Sequence, residues 1–203
     1  MSFIKPARYL SRIVLEKDMA RIREDAPVMH AACNKPYGIF SRGFAVAHSQ
    51  VTDEDPLRFF VTRQGVIVVN PTIVRHTTVP VLKDEACLSF PHNQPIHVKR
   101  FYKCEVTFNC IEQGKITERR SKTIKGLEAQ VWQHEIDHFN GIFIYDPSDF
   151  KDPLARLSSG DYPRNSEASA GVGGDVNGIG EDAYDPRNSD APGTHSDDSR
   201  EQI

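Results

Sequence analysis

Gln133-His134-Glu135-Ile136-Asp137-His138 is the stretch on which the reading of this chain turns. Two histidines four residues apart share one face of a helix, about one turn apart, so both imidazoles reach a single cation. Glu135 is rotated about 100° from His134, close enough to meet a water at that cation without being a ligand. The flanking residues supply the helix. Leu127, Val131, His134 and His138 follow one stripe at i, i+4, i+7 and i+11, while Trp132, Ile136 and Phe139 face another part of a core. Gly126 lies just before the segment, and Gly141 just after it in the usual C-terminal stop position. An H-E-x-x-H pattern also arises on ordinary solvated helices. Here the apolar surroundings argue for burial, and a metal ion would satisfy both buried imidazoles.

A candidate third ligand lies upstream in Glu85-Ala86-Cys87-Leu88-Ser89, with Cys87 placed 47 residues before His134. A thiolate and two imidazoles make a three-ligand set with a fourth position open. The downstream continuation of many H-E-x-x-H peptidases is missing, because Phe139-Asn140-Gly141 follows His138. His195 and the acids near the C-terminus stand in a segment that reads as unstructured. A metallopeptidase and a non-catalytic metal-binding interaction protein remain the alternatives to a metal hydrolase of another kind.

The segments before the helix read as strands and turns. Phe59 to Asn70 is strand material, with the β-branched run Val66-Ile67-Val68-Val69 closed by Asn70-Pro71. Cys104, Val106, Phe108 and Cys110 alternate with Glu105, Thr107 and Asn109, so a strand over 103–111 has one apolar face. Glu112-Gln113-Gly114-Lys115 is a turn, and 116–124 alternates again, which completes a β-hairpin. Cys104 and Cys110 are expected to be packed thiols rather than ligands. Residues 7–25 read as a helix with Leu10, Ile13, Val14, Met19 and Ile22 at helical spacing, ended by Pro27. A Gly/Pro loop follows through Pro36 and Gly38. Ile142 to Tyr145 is a short apolar exit, broken by Asp146-Pro147.

Charge divides the chain in two. Residues 158–203 hold ten acids against three arginines, net −7, and the other 157 residues hold 22 basic and 18 acidic side chains, net +4. The tail is almost bare of large apolar residues and contains two similar stretches, 161–168 and 184–191, around a glycine-rich segment. Such a composition does not offset its ordering entropy, so a disordered acidic tail is expected after a catalytic domain over 1–157. The basic residues of the body are dispersed, which is no nucleic-acid signature, and no DNA partner is expected. No segment has the roughly 20 apolar residues of a membrane span. The first fifteen residues lack acids, but Glu16 and Asp18 follow at once, so an organelle transit peptide is set aside. A reducing cytoplasm with free cysteines is expected.

The motifs together resemble those of the peptide deformylases. Glu85-Ala86-Cys87-Leu88-Ser89 and Gln133-His134-Glu135-Ile136-Asp137-His138 are similar to the family's second and third signatures, in the same order and with a hairpin between. Gly43-Phe44-Ala45-Val46-Ala47-His48-Ser49-Gln50 resembles the first, G-x-G-x-A-A-x-Q, with Ala45 in place of glycine and His48 in place of alanine. Ala86 stands where the second signature has glycine, and Val69-Asn70-Pro71 is similar to a family segment between the first two signatures. The similarity covers roughly residues 38–146, judged by motifs alone.

The resemblance implies an α+β fold, with antiparallel sheets around a central metal-binding helix. It implies that Cys87, His134 and His138 bind one divalent ion, ferrous iron natively, with Ni2+, Co2+ or Zn2+ as substitutes. Glu135 would shuttle the proton, and the Gln50 amide with the Leu88 backbone N–H would stabilise the oxyanion. Phe44, Ala45, Ala86, Leu127, Gln130 and Val131 would bind the substrate, the N-formylmethionyl end of a nascent polypeptide, and formate would leave. Gln130 stands where a hydrophobe is common, which suggests a more polar pocket or one that admits a different side chain. Alanine at 45 and 86 is tolerable at negative φ and forbidden at positive φ. His48 is expected to be a spectator or a pocket-wall residue. Many family members close with a basic helix that docks on the ribosome. An acidic tail is repelled by RNA, so ribosome contact is expected to be at most transient and not through this tail. The cell is expected to be bacterial or a virus-infected bacterium.

Overall fold

The computed structural model describes residues 10–35, 43–90 and 94–146. The elements are α1 (Met19–Asn34), β1 (Ala45–Ala47), β2 (Phe59–Thr62), β3 (Ile67–His76), β4 (Pro80–Glu85), β5 (Ile96–Phe101), β6 (Lys103–Glu112), β7 (Lys115–Ile116), β8 (Arg120–Lys125) and α2 (Leu127–Phe139). One antiparallel sheet runs in the order β1-β2-β3-β6, with both β7 and β8 pairing β6. Strands β4 and β5 form a separate antiparallel ribbon. This is the α+β architecture that the motifs imply.

Strand alternation divides the interior into two cores. Ala45, Ala47, Phe60, Val68, Cys104, Val106 and Phe108 point to one face and pack with Trp132, Ile136 and Phe139 of α2. Val46, Phe59, Val61 and Val69 point to the other and pack with Ile22, Met29 and Cys33 of α1. Trp132 makes edge-to-face contacts with Phe60 and Phe108 at 5.3 and 5.0 Å. The helix that carries both histidines is therefore clamped on the sheet by its apolar stripe. It begins at Gly126, whose φ is 60°, and stops at Gly141, whose φ is 68°. Beyond that stop the N–H of Ile142 donates to the carbonyl of Asp137 and closes the last turn.

The β6–β7 hairpin turns through Gln113 (φ 50°) and Gly114 (φ 73°), the left-handed pair that two-residue loops need. Three expectations are corrected. The first helix runs over Met19–Asn34 rather than 7–25, and Pro27 lies inside it. Leu10 and Ile13 are exposed at 68% and 44%, while Val14, Met19 and Ile22 are buried. The segment before α1 is instead extended: Arg12 bridges Leu57, and its side chain is paired with Asp18 and Asp55. Proline removes one helical hydrogen bond, and burial of Ala26, Met29 and Cys33 on the sheet outweighs that loss. Strand material over 59–70 is two strands, and Asn70-Pro71 does not close the second. Asn70 adopts φ 49° at an irregularity in the pairing, holds both backbone polar groups of Val14 with its amide, and β3 continues to His76. Residues 116–124 likewise divide between β7 and β8, because Thr117 turns inward to bind Asn109 and Cys110.

The expected boundary at 157/158, the acidic tail and its repeat lie outside the described residues, as does Asp146-Pro147 at its second position. Among the described residues no helix is long and apolar enough to cross a membrane. All four cysteines are free.

Candidate metal centre

Helix α2 presents His134 and His138 on the side away from its Trp132 contact with the sheet, and the loop after β4 brings Cys87 to meet them. The three ligand atoms all lie within 4.8 Å of one another. His138 Nε2 is 3.2 Å from His134 Nε2 and 3.3 Å from Cys87 Sγ. Donors around one tetrahedral ion at ordinary metal–nitrogen and metal–sulfur bond lengths stand about 3.3–3.6 Å apart. The donor set fits a divalent cation of the borderline-soft kind.

Surrounding side chains fix the direction of these donors. His134 Nδ1 is 2.9 Å from Glu85 Oε2, so the proton sits on that nitrogen and Nε2 turns its lone pair to the centre. Glu85 is held in turn by Arg100, whose Nε and Nη2 meet its two oxygens at 2.7 and 2.8 Å. Arg100 Nη1 reaches Asp137 Oδ2 at 2.6 Å. All three of these charged side chains are buried. Burial opposes the charge on Glu85, but Arg100 and His134 outweigh it and hold the carboxyl well below its usual range. Burial also opposes the charge on His134, and its hydrogen bonds to Cys87 and Glu85 override that cost and raise its pKa. His138 is driven the other way, by burial and by the charge of His134. Its Nδ1 has no hydrogen-bond partner among the described residues.

Glu135 is buried beside the three donors, and its Oε2 is also without a partner among the described residues. Burial pushes its carboxyl up to about 7, partly offset by His134. A buried carboxyl oxygen with no protein partner at the edge of a metal-type cluster is suited to handle a water's proton. Gln50 stands opposite. Its Oε1 accepts the Ala47 N–H at 2.8 Å, which turns Nε2 toward Ser89 Oγ at 3.0 Å and Cys87 Sγ at 3.7 Å. Leu88 follows Cys87, and its side chain packs where a Cβ on Gly43 would stand, 2.4 Å from the Leu88 Cδ1.

Cys87, His134 and Glu135 open onto a cavity of about 280 Å³. Phe44, Ala45, Gln50, Ala86, Leu88, Leu127, Gln130 and Val131 line it as well. The expected metal, catalytic and substrate-binding residues thus line this cavity, save His138, which meets Cys87 and His134 without lining it. Ala45 and Ala86 are not among the positive-φ residues, so their methyl groups cause no backbone strain. His48 is neither a ligand nor a cavity residue. Its Nδ1 accepts the Leu57 N–H at 2.9 Å, its Nε2 meets Asp25 at 3.0 Å, and its ring stacks on Phe59.

Arg100 and Asp137 carry the centre from outside and were not singled out in the sequence. The available signal was an acid inside the apolar face of α2 and an arginine two residues from Val98 in a strand. Buried ions of opposite sign in one small domain need each other.

The chain matches the polypeptide deformylase family over residues 14–153. Peptide deformylase 2 of Geobacillus stearothermophilus is 37% identical over 106 residues, which is 51% of this chain and 53% of that protein. The chain spans about half the length of the curated relatives it matches. The crystal structure of the deformylase from the Vibrio parahaemolyticus bacteriophage VP16T, in complex with actinonin, is 27% identical, covers 71% of this chain and 100% of that one, and superposes with a TM-score of 0.56. A probable peptide deformylase from Synechococcus phage S-SSM7 is 31% identical, with 67% and 88% covered and a TM-score of 0.51.

Proposed function

The chain belongs to the polypeptide deformylase family, and from that premise we propose that it is a metal-dependent hydrolase that removes the formyl group from the N-formylmethionyl end of new polypeptides and releases formate. The observation that carries this reading is the convergence of Cys87, His134 and His138 beside Glu135 at one end of the cavity.

A divalent ion held by these three residues would supply Lewis acidity toward water and the formyl carbonyl. Ferrous iron is the proposed native ion, and Ni2+, Co2+ and Zn2+ suit the same donors. Glu135 takes a proton from the attacking water and hands it to the departing amine. The Gln50 Nε2 group and the Leu88 N–H donate hydrogen bonds to the developing oxyanion. Ala45 and Ala86 flank the peptide backbone, and Phe44, Leu127, Gln130 and Val131 receive the methionine side chain. The substrate, a nascent chain, sets the compartment as the cytoplasm of a bacterial or virus-infected bacterial cell. Any ribosome contact is transient and independent of the acidic tail, so truncation after Leu157 leaves co-sedimentation unchanged.

The test is formate release from a formyl-Met tripeptide by protein purified without air and loaded with metal. The unformylated tripeptide stays intact, whereas a metallopeptidase would cut it. Glu135→Ala retains the metal and loses activity by about 10²–10⁴-fold. A purely structural metal site would give no formate with either protein.

A further inference from the structure

Gln130 has a polar side chain on a wall that is otherwise apolar between His134 and Leu127. Along α2 the cavity is lined by His134, Val131, Gln130 and Leu127. The first is nearly buried and the last is 52% exposed, so this order runs from the metal donors toward solvent. Gln130 lies about 6 Å along the helix axis from His134, and Leu127 about 10 Å.

The half-buried Gln130 side chain crosses to the facing strand at the solvent-exposed side of the wall. Its Nε2–H donates to the backbone carbonyl of Asp84 at 2.9 Å. A carbonyl only accepts, so this contact fixes which end of the amide is turned toward the strand. Asp84 belongs to β4, lines the same cavity and directly precedes Glu85-Ala86-Cys87. The bond therefore ties the helical wall to the strand wall, with Val131 on its metal side and Leu127 on its solvent side.

We infer that Gln130 is a specificity-determining residue, a strap from α2 to β4 that limits the length of side chain the cavity accepts. This rests on the deformylase reading, which places the substrate side chain along this wall. A hydrophobic residue at 130 yields to a longer chain by changing rotamer. The strap yields only by losing a directional bond, so extra length is penalised rather than rewarded.

The test is a length series of peptidyl hydroxamates bearing propyl, butyl, pentyl or hexyl groups, titrated calorimetrically into the zinc-loaded full chain. Binding tightens about fourfold from propyl to butyl, the usual gain for one buried methylene. Beyond butyl the gain stops, and loss of the strap weakens binding by about fivefold. Gln130→Glu is close to isosteric but has no amide N–H, and Gln130→Ala has no amide. Both variants continue to tighten through hexyl. Glu128→Gln, on the solvent side of the same helix, keeps the wild-type profile. The same length profile in wild type, Gln130→Glu and Gln130→Ala would overturn the strap alone. Failure of every hydroxamate to bind would overturn the site reading, and the strap with it.

Discussion

Buried histidine occurs in two settings, His48 and the pair His134 and His138, and among the described residues the pair is the one built to hold a metal. His48 spends both ring nitrogens inside the protein, one accepting the Leu57 N–H and the other meeting Asp25. His134 gives Nδ1 to Glu85 and turns Nε2 toward His138, whose Nδ1 has no partner among the described residues. Their Nε2 atoms converge with Cys87 instead. Burial is common to both clusters, so burial does not make a ligand. A lone pair left over after the protein's own hydrogen bonds, and aimed where others are aimed, does.

The largest effect should come from removing a converging donor. Cys87→Ala or His138→Ala is expected to lower metal affinity by more than 100-fold, beyond what loss of a supporting residue costs. Competition against a chelator measures this. His48→Ala leaves that affinity unchanged, and equal losses in both clusters would break the distinction. Glu85→Ala, which removes the orienting carboxylate, is expected to cost about 10–100-fold in metal affinity.

Arg100→Leu removes the buried cation that Glu85 and Asp137 share. It should destabilise the chain by about 3–5 kcal/mol in chemical denaturation. A loss under 1 kcal/mol would show that water reaches the triad.

His48→Ala should cost less, about 1–3 kcal/mol, from a small cavity and the unpaired Leu57 N–H. It also sharpens the comparison through pH. Burial lowers the His48 pKa from 6.5 to about 4, and its bond to Asp25 does not restore it. The folded state keeps this ring neutral while the unfolded chain takes up a proton, so the stabilisation is whole above pH 6.5 and is lost as pH falls toward 4. Wild type minus His48→Ala should therefore shrink through that window. A difference that is flat between pH 4 and 7 would show that burial does not lower the His48 pKa. Cys104→Ala, a packed thiol pushed up to about 12 by burial, should cost about 1 kcal/mol and leave metal binding intact.

The contrast between the two clusters also marks what could be read from sequence. The helical stripe of α2 and the alternation of β6 were legible because period and burial coincide there. The spacing of His134 and His138 was legible because one helix fixes it. Cys87 was not fixed by spacing, since a loop sets its direction, and its place came from the resemblance. The α1 boundaries were misread because tertiary burial tolerates Pro27 and leaves Leu10 and Ile13 outside. The Glu85–Arg100–Asp137 triad joins three elements far apart in the chain, and no local pattern links them. Gln130 was noticed as a polar departure, but only its reach to Asp84 shows what the amide holds.

The most direct test of the central claim is formate release measured while metal is titrated into chelator-stripped protein without air. Convergence of Cys87, His134 and His138 on one ion predicts that formate production from a formyl-Met tripeptide rises linearly and saturates at one ion per chain. Activity that is indifferent to metal, or a chain filled to one ion that releases no formate, would contradict it.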